Sequence, residues 1–187
     1  MTDINRDTLS DSEFAKILAA MQRACATREY CVADILKKLQ RYKLDGIDSA
    51  KIITSLKEDC FIDELRYAEA FVNDKSRLCG WGRTKILWVL KSKQIDKEII
   101  EKAISILSVD DARDQLRKIL AAKLKMLPLL SESTNLVTDA YTETAKVSSL
   151  ERWKQREKQK AKLIRFGLSR GFEYDMVLAV ADEILRY

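Results

Sequence analysis

The stretch Asp63–Ile95, DELRYAEAFVNDKSRLCGWGRTKILWVLKSKQI, decides the fold. It opens with two acids, which suit a helix N-terminus because the first backbone N–H groups carry partial positive charge. Leu65, Ala68, Phe71 and Val72 then recur at helical spacing, with Tyr67 beside them. That period predicts an amphipathic helix. Gly80-Trp81-Gly82 interrupts it, with two of the chain's five glycines inside three residues. Both glycines serve the turn, through positive φ and close helix approach. A second helix follows, with Ile86, Val89 and Leu90 inward. Phe71, Val72, Ile86, Leu90 and Trp88 read as packing residues. From Lys75 to Lys93 there are six Lys or Arg and no Asp or Glu. The expectation is a helix-turn-helix whose second helix is cationic.

The flanking chain repeats the plan. Upstream, Ser10 and Glu13 fit a capping box, and Phe14, Ile17, Leu18, Met21 and Cys25 share one helical face. A second helix places Ile35, Leu36, Leu39 and Tyr42 inward and is expected to end at Asp45-Gly46. Asp48 or Ser49 then caps a third, carrying Ile52, Ile53 and Leu56. Downstream, Asp96 can cap a helix with Ile99, Ile100, Ala103, Ile104 and Leu107. Asp110 or Asp111 opens one with Ala112, Leu116, Ile119, Leu120, Leu124 and Leu127, which Pro128 stops. Residues 131–149 are Ser/Thr-rich and read as a surface loop, with a short helical turn near 139–146. A basic helix runs from Leu150, with Ala161, Ile164 and Leu168 inward. Gly171-Phe172 breaks it, and a last helix buries Val177, Val180, Ala181 and Ile184. Gly167 inside the basic helix is unexpected, since glycine costs about 1 kcal/mol there relative to alanine.

The second helices match one another. Ile35, Leu39 and Leu44 correspond to Ile86, Leu90 and Ile95, 51 residues on. Leu163, Gly167 and Phe172 correspond again, 77 residues further on. A period of this size is the mark of a repeat architecture. The expected fold is all-α, an elongated array of three tandem three-helix repeats. After a flexible N-terminus over 1–11, the repeats fall at 12–61, 62–108 and 109–187, the last with a Ser/Thr-rich insertion at about 128–150. A unit this small has a marginal core, and stacking neighbours buries more surface.

Composition narrows the function. Apolar residues make up 47% of the chain, which fits a folded domain, while 34% charged residues require many solvated helix faces. The net charge of +5 lies in two acid-poor runs, one in 61–108 and one in 151–187. Such runs suit phosphate or an acidic protein surface. The first residues lack an apolar core, so no secretory leader is expected, and no apolar window is long enough to span a membrane. Cys25, Cys31, Cys60 and Cys79 show no C-x-x-C spacing and the chain has no His. Buried, reduced thiols in a cytoplasmic protein, without metal or cofactor, are expected. Without His, a Gly-rich phosphate loop or a nucleophile elbow, nothing indicates an enzyme. The contact candidates are therefore basic: Arg83, Lys85, Lys91 and Lys93 first; Lys158, Lys160, Lys162, Arg165 and Arg170 next; then Lys37, Lys38 and Arg41. For each, a solvated charge is the alternative. Trp81 suits stacking on a base or a partner, with core packing as its alternative.

The run Asp63-Glu64-Leu65-Arg66-Tyr67-Ala68-Glu69-Ala70-Phe71-Val72, followed by Gly80-Trp81-Gly82-Arg83, Ile86, Leu90 and Lys93-Gln94-Ile95, resembles the central signature of the RecX family of recombinase regulators. Arg28-Glu29-Tyr30 with Ile35 and Leu39 resembles that family's first repeat. Residues 158–166 with Ser169-Arg170-Gly171-Phe172 resemble its third. The resemblance covers roughly residues 12–186. The first two repeats depart from it at one turn: the Arg-Gly-Phe pattern reads Tyr42-Lys43-Leu44 and Lys93-Gln94-Ile95. The resemblance adds Arg66 and Tyr67 to the candidates, an internal ion pair being the alternative for Arg66. It implies a bacterial cytoplasmic protein, monomeric, that binds in the groove of the RecA–DNA filament and contacts recombinase and single-stranded DNA there. Its implied effect is inhibition or modulation of ATP hydrolysis, strand exchange and coprotease activity. An autonomous nucleic-acid-binding repeat protein, or a scaffold for another acidic partner, is the alternative the residues leave open.

Overall fold

The computed structural model describes residues 10–127 and 144–186, with side chains in the last helix pair described from residue 150. Pro128 and the Ser/Thr-rich segment as far as residue 143 lie outside the described residues, as do residues 1–9. The described chain holds nine α-helices: α1 (Asp11–Thr27), α2 (Val32–Leu39), α3 (Gly46–Glu58), α4 (Glu64–Asn73), α5 (Arg83–Ser92), α6 (Lys97–Ile104), α7 (Val109–Met126), α8 (Thr144–Ser169) and α9 (Tyr174–Arg186). The fold is all-α, three helices followed by three and three. Among the described residues no helix is long and apolar enough to cross a membrane.

Side-chain caps fix several of the helix starts. Ser10 and Glu13 form the expected capping box on α1. Asp63 Oδ1 accepts from Arg66 N at 2.9 Å at the start of α4. Asp96 makes no side-chain bond at the start of α6, and two other caps differ from expectation. Asp45, not Asp48 or Ser49, caps α3 through Asp48 N at 2.7 Å, and Ser108, just ahead of the expected Asp110 or Asp111, accepts from Asp110 N and Asp111 N at α7. In both cases the better cap is the short polar residue just ahead of the helix, where its side chain reaches back to a free N–H. α4 runs on into a π-helical turn, Asp74–Leu78, before the Gly-Trp-Gly turn. α8 begins at Thr144, six residues before the expected start.

Two compact units make up the chain, Met1–Asn73 with Leu87–Ile106, and Asp74–Ile86 with Leu107–Tyr187. In the first, Ile17, Met21, Tyr30, Ile35, Leu39, Ile52, Leu56 and Ile62 form a core from α1, α2 and α3. Tyr67, Ala68, Val72, Leu90, Ile95, Ile100, Ala103 and Ile104 are buried as well. Leu36 and Tyr42, expected inward, are 39% and 40% exposed, because Ile35 and Leu39 already fill the buried side of α2. In the second unit Leu116, Leu120, Leu163, Phe172, Val177, Val180 and Ala181 form the core. On α8 the buried line is Leu163 and Gly167, not Ala161 and Leu168, which are exposed. Gly167 is there because α9 comes very close: a Cβ would lie 2.7 Å from Val177 Cγ1.

The matched second helices share more than sequence spacing. Ile35, Ile86 and Leu163 are each fully buried. The turns that follow place Lys43, Gln94 and Gly171 at φ 53°, 60° and 84°. All three occupy the left-handed region at the same register position, although only the last is glycine. After α5 and α8 the turn is a Schellman motif, with Ile95 N donating to Leu90 O and Phe172 N to Gly167 O. The apolar residue after the left-handed one, Ile95 or Phe172, is then buried. The departure at Lys93-Gln94-Ile95 therefore changes the residue and keeps the turn, whereas after α2 a 3-10 turn, Gln40–Tyr42, leads into the left-handed Lys43.

Each unit sets one of these turns beside the start of another second helix, through different bonds. In the second, the turn after α8 meets the N-terminus of α5. Gly82 N donates to Arg170 O at 2.8 Å and Thr84 N to Gly171 O at 3.1 Å, while Lys85 Nζ donates to Ser169 O at 3.2 Å. The free N–H groups of one helix start thus satisfy the free carbonyls of another helix end, with dipoles in the favourable sense. In the first unit the turn after α5 meets the N-terminal turn of α2, where Lys93 Nζ donates to Asp34 Oδ1 at 2.6 Å. Lys93 and Arg170 are equivalent positions in the repeat, as are Asp34 and Lys85.

Candidate partner and nucleic-acid interface

α8 is the most basic element. Lys, Arg, Gln and Leu are good helix formers, so this composition keeps the helix regular. One side is committed to α9: Lys160 Nζ lies 2.6 Å from Asp182 Oδ1, and the Arg156 guanidinium donates to the Leu185 carbonyl. The hydrogen bond to Asp182 holds the Lys160 ammonium above its ordinary range. The opposite side carries Lys154, Lys158, Lys162 and Arg165, all exposed. Their spacing places them in one stripe. Lys154, Lys158 and Lys162 form no ion pair among the described residues, and Arg165 reaches only its own helix, at the Ala161 carbonyl. On a helix fixed by its other face, Lys154, Lys158 and Lys162 can take up phosphates or carboxylates without breaking an ion pair among the described residues.

The other candidates divide into free and committed groups. Lys37 and Arg41, on and just after α2, are exposed, as are Arg83 and Lys91 at the two ends of α5. None of these has an ion pair among the described residues. Lys38 lies over the Tyr30 ring at 4.8 Å, which Arg28 also covers at 4.4 Å. Arg66 is held internally, with Nε donating to Glu29 Oε1 at 2.7 Å and Nη2 to the Cys60 carbonyl at 3.1 Å. The Glu29 bond raises its pKa. Arg170 donates to the Cys79 carbonyl at 2.9 Å and covers Phe166.

Tyr67 is 7% exposed and stacks on Phe71 with ring centroids 5.9 Å apart. Lys93 Nζ lies over its ring, and burial, reinforced by the neighbouring Cys31 and Asp34, pushes its hydroxyl far up. Burial also pushes Asp34 up, but the bonds from Lys93 and Cys31, with the Lys93 charge, outweigh it and leave the carboxyl below its ordinary value. Cys31, wholly buried and bonded to Asp34 at 3.3 Å, has its thiol pushed up by that burial. Arg66, Tyr67 and Lys93 thus sit inside the first unit's own network.

Trp81 is half-buried, with Lys75 Nζ at 5.3 Å and Lys85 Nζ at 4.7 Å over its ring. Trp88 departs from expectation, as Leu36, Tyr42, Ala161 and Leu168 do. It was expected to pack, yet it is 70% exposed. The signal was available: Trp88 lies two residues from both Ile86 and Leu90, and two residues along a helix is nearly the opposite face. Among the described residues no group of three or more His, Cys, Asp or Glu could hold a metal ion.

Comparison with known proteins adds the following. Residues 63–104 match the family model for "RecX, second three-helix domain". The chain is 29% identical over 187 residues to the regulatory protein RecX of Clostridium botulinum strain Alaska E43, covering 95% of this chain and 77% of that protein. It is 25% identical over 183 residues to the regulatory protein RecX of Acinetobacter baylyi, covering 98% of this chain and 95% of that one. The crystal structure of RecX from Lactobacillus salivarius superposes with a TM-score of 0.66 at 20% identity, over 95% of this chain and all of that chain. A second crystal structure of regulatory protein RecX gives the same TM-score at 18% identity, over 91% and 73%.

Proposed function

We propose, from the premise that this chain belongs to the RecX family, that it regulates the RecA recombinase by binding the RecA–DNA filament and lowering its ATP hydrolysis. Membership makes the chain a regulator and not an enzyme. The observation that supports filament binding is the repeat itself. The same second helix and left-handed turn recur three times, and outward cations accompany each copy: Lys37 and Arg41, Arg83 and Lys91, then Lys158, Lys162 and Arg165. A partner that is itself a repeating array can meet such a series with several weak contacts of the same kind, and joined contacts gain affinity from effective concentration rather than from any one strong site. Exposed single charges contribute little alone, so the reading requires several to act together. Strand exchange and coprotease activity are the further outputs the same binding would alter.

The test is a titration of this chain into RecA on single-stranded DNA with steady-state ATP hydrolysis as the readout. A fall at substoichiometric ratios is expected. A rate unchanged across a wide titration sinks the proposal.

A further inference from the structure

Positions 37 on α2, 88 on α5 and 165 on α8 are equivalent. Each lies two residues after the fully buried anchor of its copy, Ile35, Ile86 or Leu163, a spacing that turns the side chain away from the core. All three are exposed. The first and third are cations, Lys37 and Arg165. The second is Trp88. Its outward neighbours toward the helix end, Lys91 and Ser92, are both exposed, and Lys91 has no ion pair among the described residues. No Asp or Glu occurs between residues 75 and 95.

The chemistry around the ring separates two kinds of ligand. A tryptophan that anchors a protein interface sits at the centre of an apolar, desolvated patch. Trp88 is flanked at the next helical turn by a lysine and a serine, so its surroundings are wet and positive. A planar π-face with a cation one turn away suits a nucleobase and its adjoining phosphate, and base stacking on aromatic side chains is independent of sequence. Trp81 is the less open ring, half-buried with the Lys75 and Lys85 ammonium groups already over it. We propose that Trp88 is a stacking platform for a base of single-stranded nucleic acid, with Lys91 taking the neighbouring phosphate. This deepens the filament reading and rests on it for its setting, since it assigns a direct DNA contact to this chain.

The experiment measures binding of the full chain to labelled oligo(dT) and to an abasic strand of the same length, by anisotropy at low salt. Trp88→Ala should weaken binding to oligo(dT) by about 5- to 150-fold, the range for one stacked base, while Trp88→Phe retains most of the affinity. On the abasic strand wild type and Trp88→Ala should bind alike. Lys91→Met should weaken both strands and lower the log–log salt slope by about 0.7, the value for one phosphate of a single strand. The proposal is overturned if the wild-type chain does not bind oligo(dT), if Trp88→Ala binds it like wild type, or if the alanine penalty is as large on the abasic strand. A variant that loses its effect on RecA while keeping full oligo(dT) affinity also overturns it, since Trp88 would then contact protein. Trp88-dependent oligo(dT) binding in a wild-type chain that leaves RecA hydrolysis unchanged refutes the filament reading alone.

Discussion

Replacing Gly82 with alanine tests the junction that joins α5 to the α8–α9 turn. The added Cβ would fall 2.2 Å from the Gly171 carbonyl oxygen and 2.5 Å from Phe172 N. These are backbone atoms, so no rotamer change can make room. The helix start and the turn must separate, and with them go three hydrogen bonds, Gly82 N to Arg170 O, Thr84 N to Gly171 O and Lys85 Nζ to Ser169 O. At about 0.5–1.5 kcal/mol each the loss is about 1.5–4.5 kcal/mol. Alanine returns about 0.4–1 kcal/mol by stiffening the unfolded chain, which leaves a net loss of about 0.5–4 kcal/mol. Gly171→Ala attacks the same contact from the other side, where a Cβ would lie 2.3 Å from Lys85 Cβ and 2.5 Å from Lys85 N, and its φ of 84° adds strain. Because both substitutions break one junction, the double variant should cost little more than the worse single one. Urea unfolding followed by circular dichroism measures all three. Losses that simply add, or a Gly82→Ala variant within about 0.5 kcal/mol of wild type, would refute the reasoning.

Gly167→Ala sets helix propensity against packing: about 1 kcal/mol is gained from propensity, but crowding the stiff Val177 side chain costs about 1–3 kcal/mol. A lower urea midpoint is expected, recovered in part by adding Val177→Ala. Lys43→Gly and Gln94→Gly act the other way. Each relieves a left-handed penalty of about 1–2 kcal/mol and forfeits about 0.5–1 to chain entropy, so Tm should rise, and a fall would show that the residues earn their place through contacts. Asp34 has a folded-state pKa below its unfolded one, so its stabilisation is present above about pH 4, the ordinary carboxylate value, and is lost as pH falls through the folded value. Asp34→Asn should therefore destabilise at neutral pH by about 1–2 kcal/mol and converge on wild type in acid, whereas a constant gap at all pH values would exclude the charge as the cause. Lys158→Glu with Lys162→Glu should leave helicity unchanged and weaken single-stranded DNA binding with a shallower salt slope, while Lys160→Met, which breaks the Asp182 pair, should affect stability instead.

The all-α class, the helix faces and the three-fold recurrence were legible in the sequence because they depend on local rules, the 3.6-residue period of apolar residues and the spacing of anchors such as Ile35, Ile86 and Leu163. The Gly-Trp-Gly turn was legible for the same reason. The identity of the left-handed residues was not, since Lys43 and Gln94 carry no glycine signal and adopt the conformation because the turn around them requires it. The candidate contacts were legible only as a list of cations. Tertiary structure divided that list, because whether a lysine is free depends on what the fold brings beside it. Lys93 meets Asp34 across 59 residues of sequence, Lys160 meets Asp182, and Lys158 and Lys162 meet no acid among the described residues. Charge along the chain sets how many cations there are, and helix packing decides which of them stay exposed and unpaired among the described residues.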